Sequence, residues 1–275
     1  MKKLKKIIII FLFFSSVIYA EDITVDDYLN LGDAYYKENN LKEAKDLYDR
    51  ALEIDSSNIT VVMKILKIYE TNKKYDDELK FLENFLSNNV DKNNSEIYFK
   101  IADIYNNYKK NKKKAYEYYE KFLNSSGSNN SERIFYIGDV YFKDFLYEKA
   151  MNTFLLDKTG NYKNEFGAAI TLRFLGYYKK SILYYKKVIK QKPNFLEAYL
   201  GIGISYQLNS DFDNAIKYFL KYISEKKDEQ VYIELVKLYM IKKNDKKAKT
   251  IGQEGLNFFP NSKELRDLML TIYSN

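Results

Sequence analysis

The chain has no cysteine, no histidine and no tryptophan, and only 2 prolines and 10 glycines in 275 residues. Without cysteine there is no disulfide framework, no zinc-thiolate site, no thiol nucleophile and no lipid carried on a thiol. Without histidine the commonest metal ligand and the commonest general base near neutral pH are missing. Scarce glycine and proline argue against a turn-rich β fold. Both prolines, Pro193 and Pro260, stand where a helical pattern runs out. No glycine-rich phosphate loop or GxSxG nucleophile turn is present, and Gly201 and Gly203 fall inside a helical pattern. Asp211 and Asp213 lack the spacing and glycine of a calcium loop, and read instead as a turn and a helix start. No catalytic residue, metal or cofactor is expected.

What is present is aromatic and apolar. The sequence carries 28 Tyr and 18 Phe, and apolar residues make up 46%, enough to fill a core and to exclude disorder. The formal charge of +7 overstates the body of the protein. Lys2, Lys3, Lys5 and Lys6 lie at the N-terminus, and without them 41 basic residues face 38 acidic ones. That balance is too even to call for nucleic acid. The lysine runs at 109–114 and 242–247 read as solvated turns.

Met1–Lys6 is basic, Ile7–Phe14 is wholly apolar, and Ser15–Ala20 is smaller and ends just before Glu21-Asp22. This is the three-part order of an export signal, with cleavage expected after Ala20. The apolar run is short for a membrane span. Export to the periplasm or beyond is the first expectation, and an uncleaved N-terminal anchor is the alternative. The chain then reads as a signal at 1–20 and one array at 21–275.

The array is built of repeats. A small or apolar residue in the middle of each first helix marks the period: Gly32, Leu66, Ala102, Gly138, Ala169, Gly203, Val236 and Leu270. Successive spacings are 34, 36, 36, 31, 34, 33 and 34 residues. In Leu196–Lys227, two amphipathic patterns flank the turn Asn209-Ser210-Asp211, with Tyr199, Ile202, Gly203 and Tyr206 on one face and Ala215, Phe219 and Tyr222 on the other. Glycine and alanine let the paired helices approach, and the aromatics fill the gaps beside them. The first repeat has Gly32, Tyr35, Ala44, Tyr48 and Ala51 in these places, and the fourth has Gly138, Tyr141, Ala150 and Phe154. The second departs, with Leu66 and Glu78 where small residues are expected, so its crossing should be wider or shifted. The short spacing of 31 beside Gly160 places an early helix end, and a candidate hinge, at 157–164.

The period and the placing of small and aromatic residues resemble the tetratricopeptide repeat family. The resemblance implies an all-α, right-handed superhelical solenoid of about seven helix–turn–helix units. They span 25–58, 59–92, 95–129, 131–161, 162–195, 196–228 and 229–262, with a capping helix over 263–273. It also implies a non-enzymatic scaffold whose first helices line a concave groove for a protein or peptide.

The groove face, taken about 100° from the packing face, carries Leu29, Met63, Phe99, Phe135, Phe166, Leu200 and Ile233 at one register. One turn further on come Asp33, Asp103 and Asp139 in repeats one, three and four, and Ile170 and Ile204 in repeats five and six. Arg173 continues the face in the fifth. Family members that grip a C-terminal carboxylate use Lys and Asn along this face, whereas the column here is apolar. It suits an apolar or aromatic segment, and the aspartates would favour a basic partner. Ordinary packing between repeats is the competing reading of the column. The partner has no name at this point. An assembly role with envelope membrane proteins, self-association, and a carboxylate-based enzyme remain as alternatives, in falling order.

Overall fold

The computed structural model describes residues 23–89, 94–125 and 130–274. The expected signal at 1–20 lies outside these residues, as do residues 90–93 and 126–129. Among the described residues the secondary structure is fifteen α-helices and no strand. They are α1 (Val25–Lys37), α2 (Leu41–Ile54), α3 (Ile59–Thr71), α4 (Tyr75–Asn88), α5 (Ser95–Asn107), α6 (Lys112–Asn124), α7 (Ser131–Lys143), α8 (Tyr147–Phe154), α9 (Tyr162–Phe174), α10 (Tyr178–Gln191), α11 (Leu196–Leu208), α12 (Phe212–Glu225), α13 (Glu229–Ile241), α14 (Asp245–Phe258) and α15 (Lys263–Ser274). Consecutive helices pack in pairs, giving an all-α helical repeat solenoid. Among the described residues no helix is long and apolar enough to cross a membrane.

Each pair is joined by the same turn. The first helix ends in a residue with left-handed backbone: Asn39, Lys73, Lys110, Phe145, Gly176, Ser210 and Lys243. The next amide reaches back to a carbonyl five residues earlier, as Asn40 N does to Tyr35 O (2.9 Å) and Asp211 N to Tyr206 O (2.9 Å). This closes the orphan carbonyls of the helix end. In the third repeat Asn111 N reaches Tyr105 O instead, six residues back (2.9 Å), so this turn is one residue longer than the others. Several starts are capped by side chains. Thr24 and Asp27 form a reciprocal cap on α1, and Asn58, Asn130, Asn161, Asp211, Asp228 and Asn244 each accept a first-turn amide.

The chain divides into two compact units, 1–118 and 119–275. The core of the first is built on Ala44, Tyr48, Ala51, Val61, Ile65 and Ile68, all buried. In the second, one cluster holds Ala169, Ile182, Tyr185, Val188, Ala198 and Ile202. A larger one runs from Ala215 to Ile272 and takes Leu265, Met269 and Ile272 from α15. That helix covers the last apolar face. A Cβ on Gly252 would strike Met269, so the thioether of the cap fills the place where an aromatic of the same helix would sit.

The glycines explain the tight crossings. A Cβ on Gly203 would lie 2.5 Å from the Phe219 ring, and one on Gly32 would lie 2.5 Å from that of Tyr48. α8 is the exception in length, only 8 residues. Its early end leaves Asp157–Asn161 as a compact loop, with Thr159 N and Asn161 N donating to the Asp157 carboxylate (3.1 and 3.0 Å).

Candidate functional site

The expected groove positions fall on α1, α3 and α5 of the first unit and on α7, α9, α11 and α13 of the second. Leu29, Met63, Phe99, Phe135, Phe166 and Leu200 are half-buried, so packing and exposure share each residue. Phe166 meets Phe195 edge-on with centroids 4.8 Å apart and Tyr185 at 5.8 Å. Phe135 lies 6.0 Å from Phe154. Ile170 packs on the cluster around Ile202, and Leu200 and Ile204 pack on that around Phe219. Ile233 departs from the expectation: at 2% exposure it belongs to the core and offers no surface. Its helix α13 is flanked by both α12 and α14 and is also packed by the cap α15.

The aspartates were expected to await a basic partner, and the structure gives them partners within the chain. Asp33 accepts Lys64 Nζ at 2.7 Å on both oxygens and the Tyr48 hydroxyl at 2.7 Å. Burial pushes the Asp33 carboxyl up, but these hydrogen bonds outweigh it and hold it below its ordinary value. Asp33 therefore ties the first repeat to the second. Asp103 accepts Asn107 Nδ2 (2.6 Å), and Asp139 pairs with Lys143 one turn on (2.6 Å). Arg173 lies over the Phe174 ring, 5.2 Å from its centroid.

The freer surface sits at the last residue of the first helices, a register the sequence reading passed over. In the first four repeats this residue is Lys37, Thr71, Asn107 and Lys143, and in the last three Phe174, Leu208 and Ile241. These three apolar side chains are 53%, 49% and 59% exposed. Phe174 also joins an aromatic group, with Tyr147 stacked at 5.2 Å and Phe142 edge-on at 5.4 Å. A period-34 alignment of helix ends, rather than of helix centres, would have shown this ridge.

Comparison with known families gives the pattern a name. Models described as tetratricopeptide repeat match residues 25–58, 95–129, 166–195 and 196–229. The chain is a tetratricopeptide repeat protein. No curated protein matches it. Among solved structures, the C-terminal part of a tetratricopeptide repeat-containing protein from Cytophaga hutchinsonii is 19% identical, with a TM-score of 0.62 over 88% of this chain and 99% of that one. PilW, a widely conserved type IV pilus biogenesis factor, is 17% identical, with a TM-score of 0.50 over 89% and 98%. MamA from Desulfovibrio magneticus RS-1 is 14% identical, with a TM-score of 0.52 over 62% and 98%. At these identities the likeness is one of fold.

Tetratricopeptide repeats indicate a scaffold for protein–protein interaction, and the matched segments set the irregular ones in relief. The second repeat, unmatched, buries Glu78 to 1% exposure with its Oε2 unpartnered. Burial pushes the Glu78 carboxyl up to about 7, helped by the nearby Glu70 and Asp103 and opposed by Lys100. A raised carboxylate is one mark of catalytic acids. Here it lies inside the helix packing, where no substrate reaches it. Sequence reading also missed the second role of glycine. A Cβ on Gly167 would lie 2.6 Å from Phe154, and one on Gly201 would strike Tyr185. These glycines let each first helix press on the preceding repeat, so the GlyIleGly run at 201–203 serves two interfaces at once.

Proposed function

We propose that the chain is a non-enzymatic scaffold that holds an apolar or aromatic segment of a protein partner outside the cytoplasm. The observation that carries this is the exposed ridge of Phe174, Leu208 and Ile241, one residue per repeat at the same helix end. Exposed apolar side chains at one register of successive repeats offer a partner a row of contacts, and single exposed apolar residues need no such explanation. Half-buried Phe166, Leu200, Ile170 and Ile204 border it as the inner part of the site. The basic, apolar and small-residue order of residues 1–20 supports export.

A second reading, an assembly subunit of an envelope complex, is supported by the likeness in fold to the pilus biogenesis factor PilW. The two readings differ in the partner, and one experiment addresses both. A photocrosslinking residue placed at Leu208, in the full chain within its own cells, should give an adduct with one protein. The adduct should weaken at least tenfold when Ile241→Glu is added, since that change charges the ridge without touching a buried ring. An envelope protein as the adduct selects the second reading. Crosslinking that yields no defined adduct, or that ignores Ile241→Glu, sinks the ridge as the site. Sequencing the N-terminus of the exported chain should read from Glu21. A chain retained inside the cell would refute export.

A further inference from the structure

Helix α10 carries five lysines, Lys179, Lys180, Lys186, Lys187 and Lys190, and no acidic residue. Each of the other six second helices mixes the signs, with Glu43, Asp76, Glu117, Glu148, Asp213 and Asp245 among their acids. A lysine-rich composition therefore does not account for α10, because every other second helix sets acids among its lysines. Ser181, Ile182, Tyr185 and Val188 face the core. The opposite side is centred on Leu183, which is 61% exposed. Its neighbours on the helix surface stand three and four residues away in each direction, and all four are lysines: Lys179, Lys180, Lys186 and Lys187. Lys190 extends the patch by one turn. All five lysines are exposed.

One carboxylate serves these five cations. Lys187 Nζ stands 3.7 Å from Glu165 and 4.4 Å from the centroid of the Tyr184 ring. Lys186 Nζ donates to the Tyr206 hydroxyl at 3.2 Å, and Lys180 Nζ lies 5.5 Å from the Tyr177 ring centroid. Among the described residues Lys179 and Lys190 meet neither a carboxylate nor a ring. Like charges three and four residues apart repel along a helix, so anions placed over the patch would relieve it. The apolar centre decides which anion. A run of acidic residues or a nucleic acid would set Leu183 against a hydrated, charged chain. A bilayer with anionic lipids offers phosphates at the level of the ammonium groups and hydrocarbon beneath them. Lysine stems are long enough to bend outward while the leucine dips. Tyr177, 52% exposed at the start of the helix, has the apolar ring and polar tip that suit such an interface.

We propose that α10 is a contact with the surface of an anionic membrane, in which its lysines sit among lipid phosphates and Leu183 dips below them. The inference goes beyond the protein-binding reading and does not depend on it. It places the scaffold at a lipid surface through a helix that the ridge of Phe174, Leu208 and Ile241 does not use.

The chain has no tryptophan, so Leu183→Trp in the full chain gives a single reporter whose emission responds to α10. It is titrated with vesicles of phosphatidylcholine containing about a third phosphatidylglycerol, and with phosphatidylcholine alone. A blue shift is expected with the anionic vesicles, with at least tenfold weaker binding to the neutral ones and loss of the shift in high salt. Lys179→Glu with Lys190→Glu should abolish it. The same charge change on α12 and α14, Lys217→Glu with Lys246→Glu, should leave it in place. All four lysines are exposed, and unchanged helical circular dichroism reports that each variant is folded. A tryptophan at Leu270 on α15, itself 69% exposed, should not shift. Equal shifts with both vesicles, no shift with either, equal loss from the two lysine pairs, or an equal shift at position 270 would each overturn the proposal. A polyglutamate that produces the same shift would give the patch to an acidic protein segment and overturn the lipid contact. If the vesicle titration fails while the Leu208 adduct forms, the membrane contact alone is lost. If the adduct fails while the vesicles bind, the ridge is lost and the membrane contact stands.

Discussion

The second and sixth repeats solve the same helix crossing with different residues. In the sixth, Gly203 and Ala215 keep the interface clear, and the Phe219 ring lies against the glycine backbone, 1% exposed. In the second, Leu66 and Glu78 stand at the same places, both buried to 1%. The consequence is visible in the packing: α3 and α4 make far less close contact than α11 and α12. A small pair gives a tight crossing with a ring as filler. A large pair holds the helices apart and leaves a carboxyl oxygen buried without a donor. The repeat tolerates the second solution because each unit also leans on its neighbours. Asp33, which joins the first repeat to Lys64 of the second, is part of that support.

The largest expected effect breaks the good crossing. Gly203→Leu places a branched side chain where even a Cβ meets Phe219 at 2.5 Å. Overpacking of this kind costs about 1–3 kcal/mol, and with a ring on one side and no slack the upper end is expected. Denaturant unfolding of the full chain measures it. A variant as stable as the parent would mean that the crossing is not set by this residue.

The next effect repairs the poor crossing. Glu78 in the folded protein holds its proton up to about 7, above its ordinary value of 4.5. A carboxyl with a raised folded pKa penalises folding when ionised. The penalty is absent below the ordinary value, grows as pH rises between the two, and is complete above about 7. At roughly 1.4 kcal/mol per unit the full rise corresponds to on the order of 3 kcal/mol, of which solvent screening of a carboxyl near the edge of the packing leaves about 2 kcal/mol. Glu78→Ala installs the residue present at Ala44, Ala115, Ala150, Ala215 and Ala248. Its gain over the parent should be small at pH 4.5 and approach 2 kcal/mol or so by pH 8, less a little for lost packing. A difference between the two proteins that does not change with pH would show that Glu78 finds a donor or reaches water.

Most of this fold was legible because it repeats. Small residues and aromatics that recur in phase through most of the seven units fix helix, turn and partner. Even the misfit at Glu78 was visible as a break in the pattern. The face for a partner was harder to see, for a physical reason. Helix periodicity gives the side a residue points to, but it does not give what stands opposite. Leu200 and Ile233 share a register, yet one is half-buried and the other lies within the core. Asp33 and Asp139 share another, and both are paired, one across repeats and one along its own helix. Loop length betrayed the short α8, but not the contact beside it, in which Asn164 donates its amide to the Ser131 carbonyl of the preceding repeat.

The smallest expected effect compares two turns. Lys73 and Phe145 both hold left-handed backbone, at φ 54° and 61°. Left-handed backbone costs an L-residue roughly 1–2 kcal/mol that glycine avoids, while glycine gives back about 0.4–1 through the freer unfolded chain. Lys73→Gly should therefore gain about 0.5 kcal/mol. Phe145 is 77% exposed, but its ring meets Tyr147 edge-on at 6.3 Å, a contact worth about 0.5 kcal/mol or more. Phe145→Gly should then come out near neutral. The difference between the two variants isolates the ring contact, because the backbone term is common to both. If Phe145→Gly instead gains as much as Lys73→Gly, the ring contributes nothing to the fold, and its large exposed surface beside Tyr147 is free for a partner.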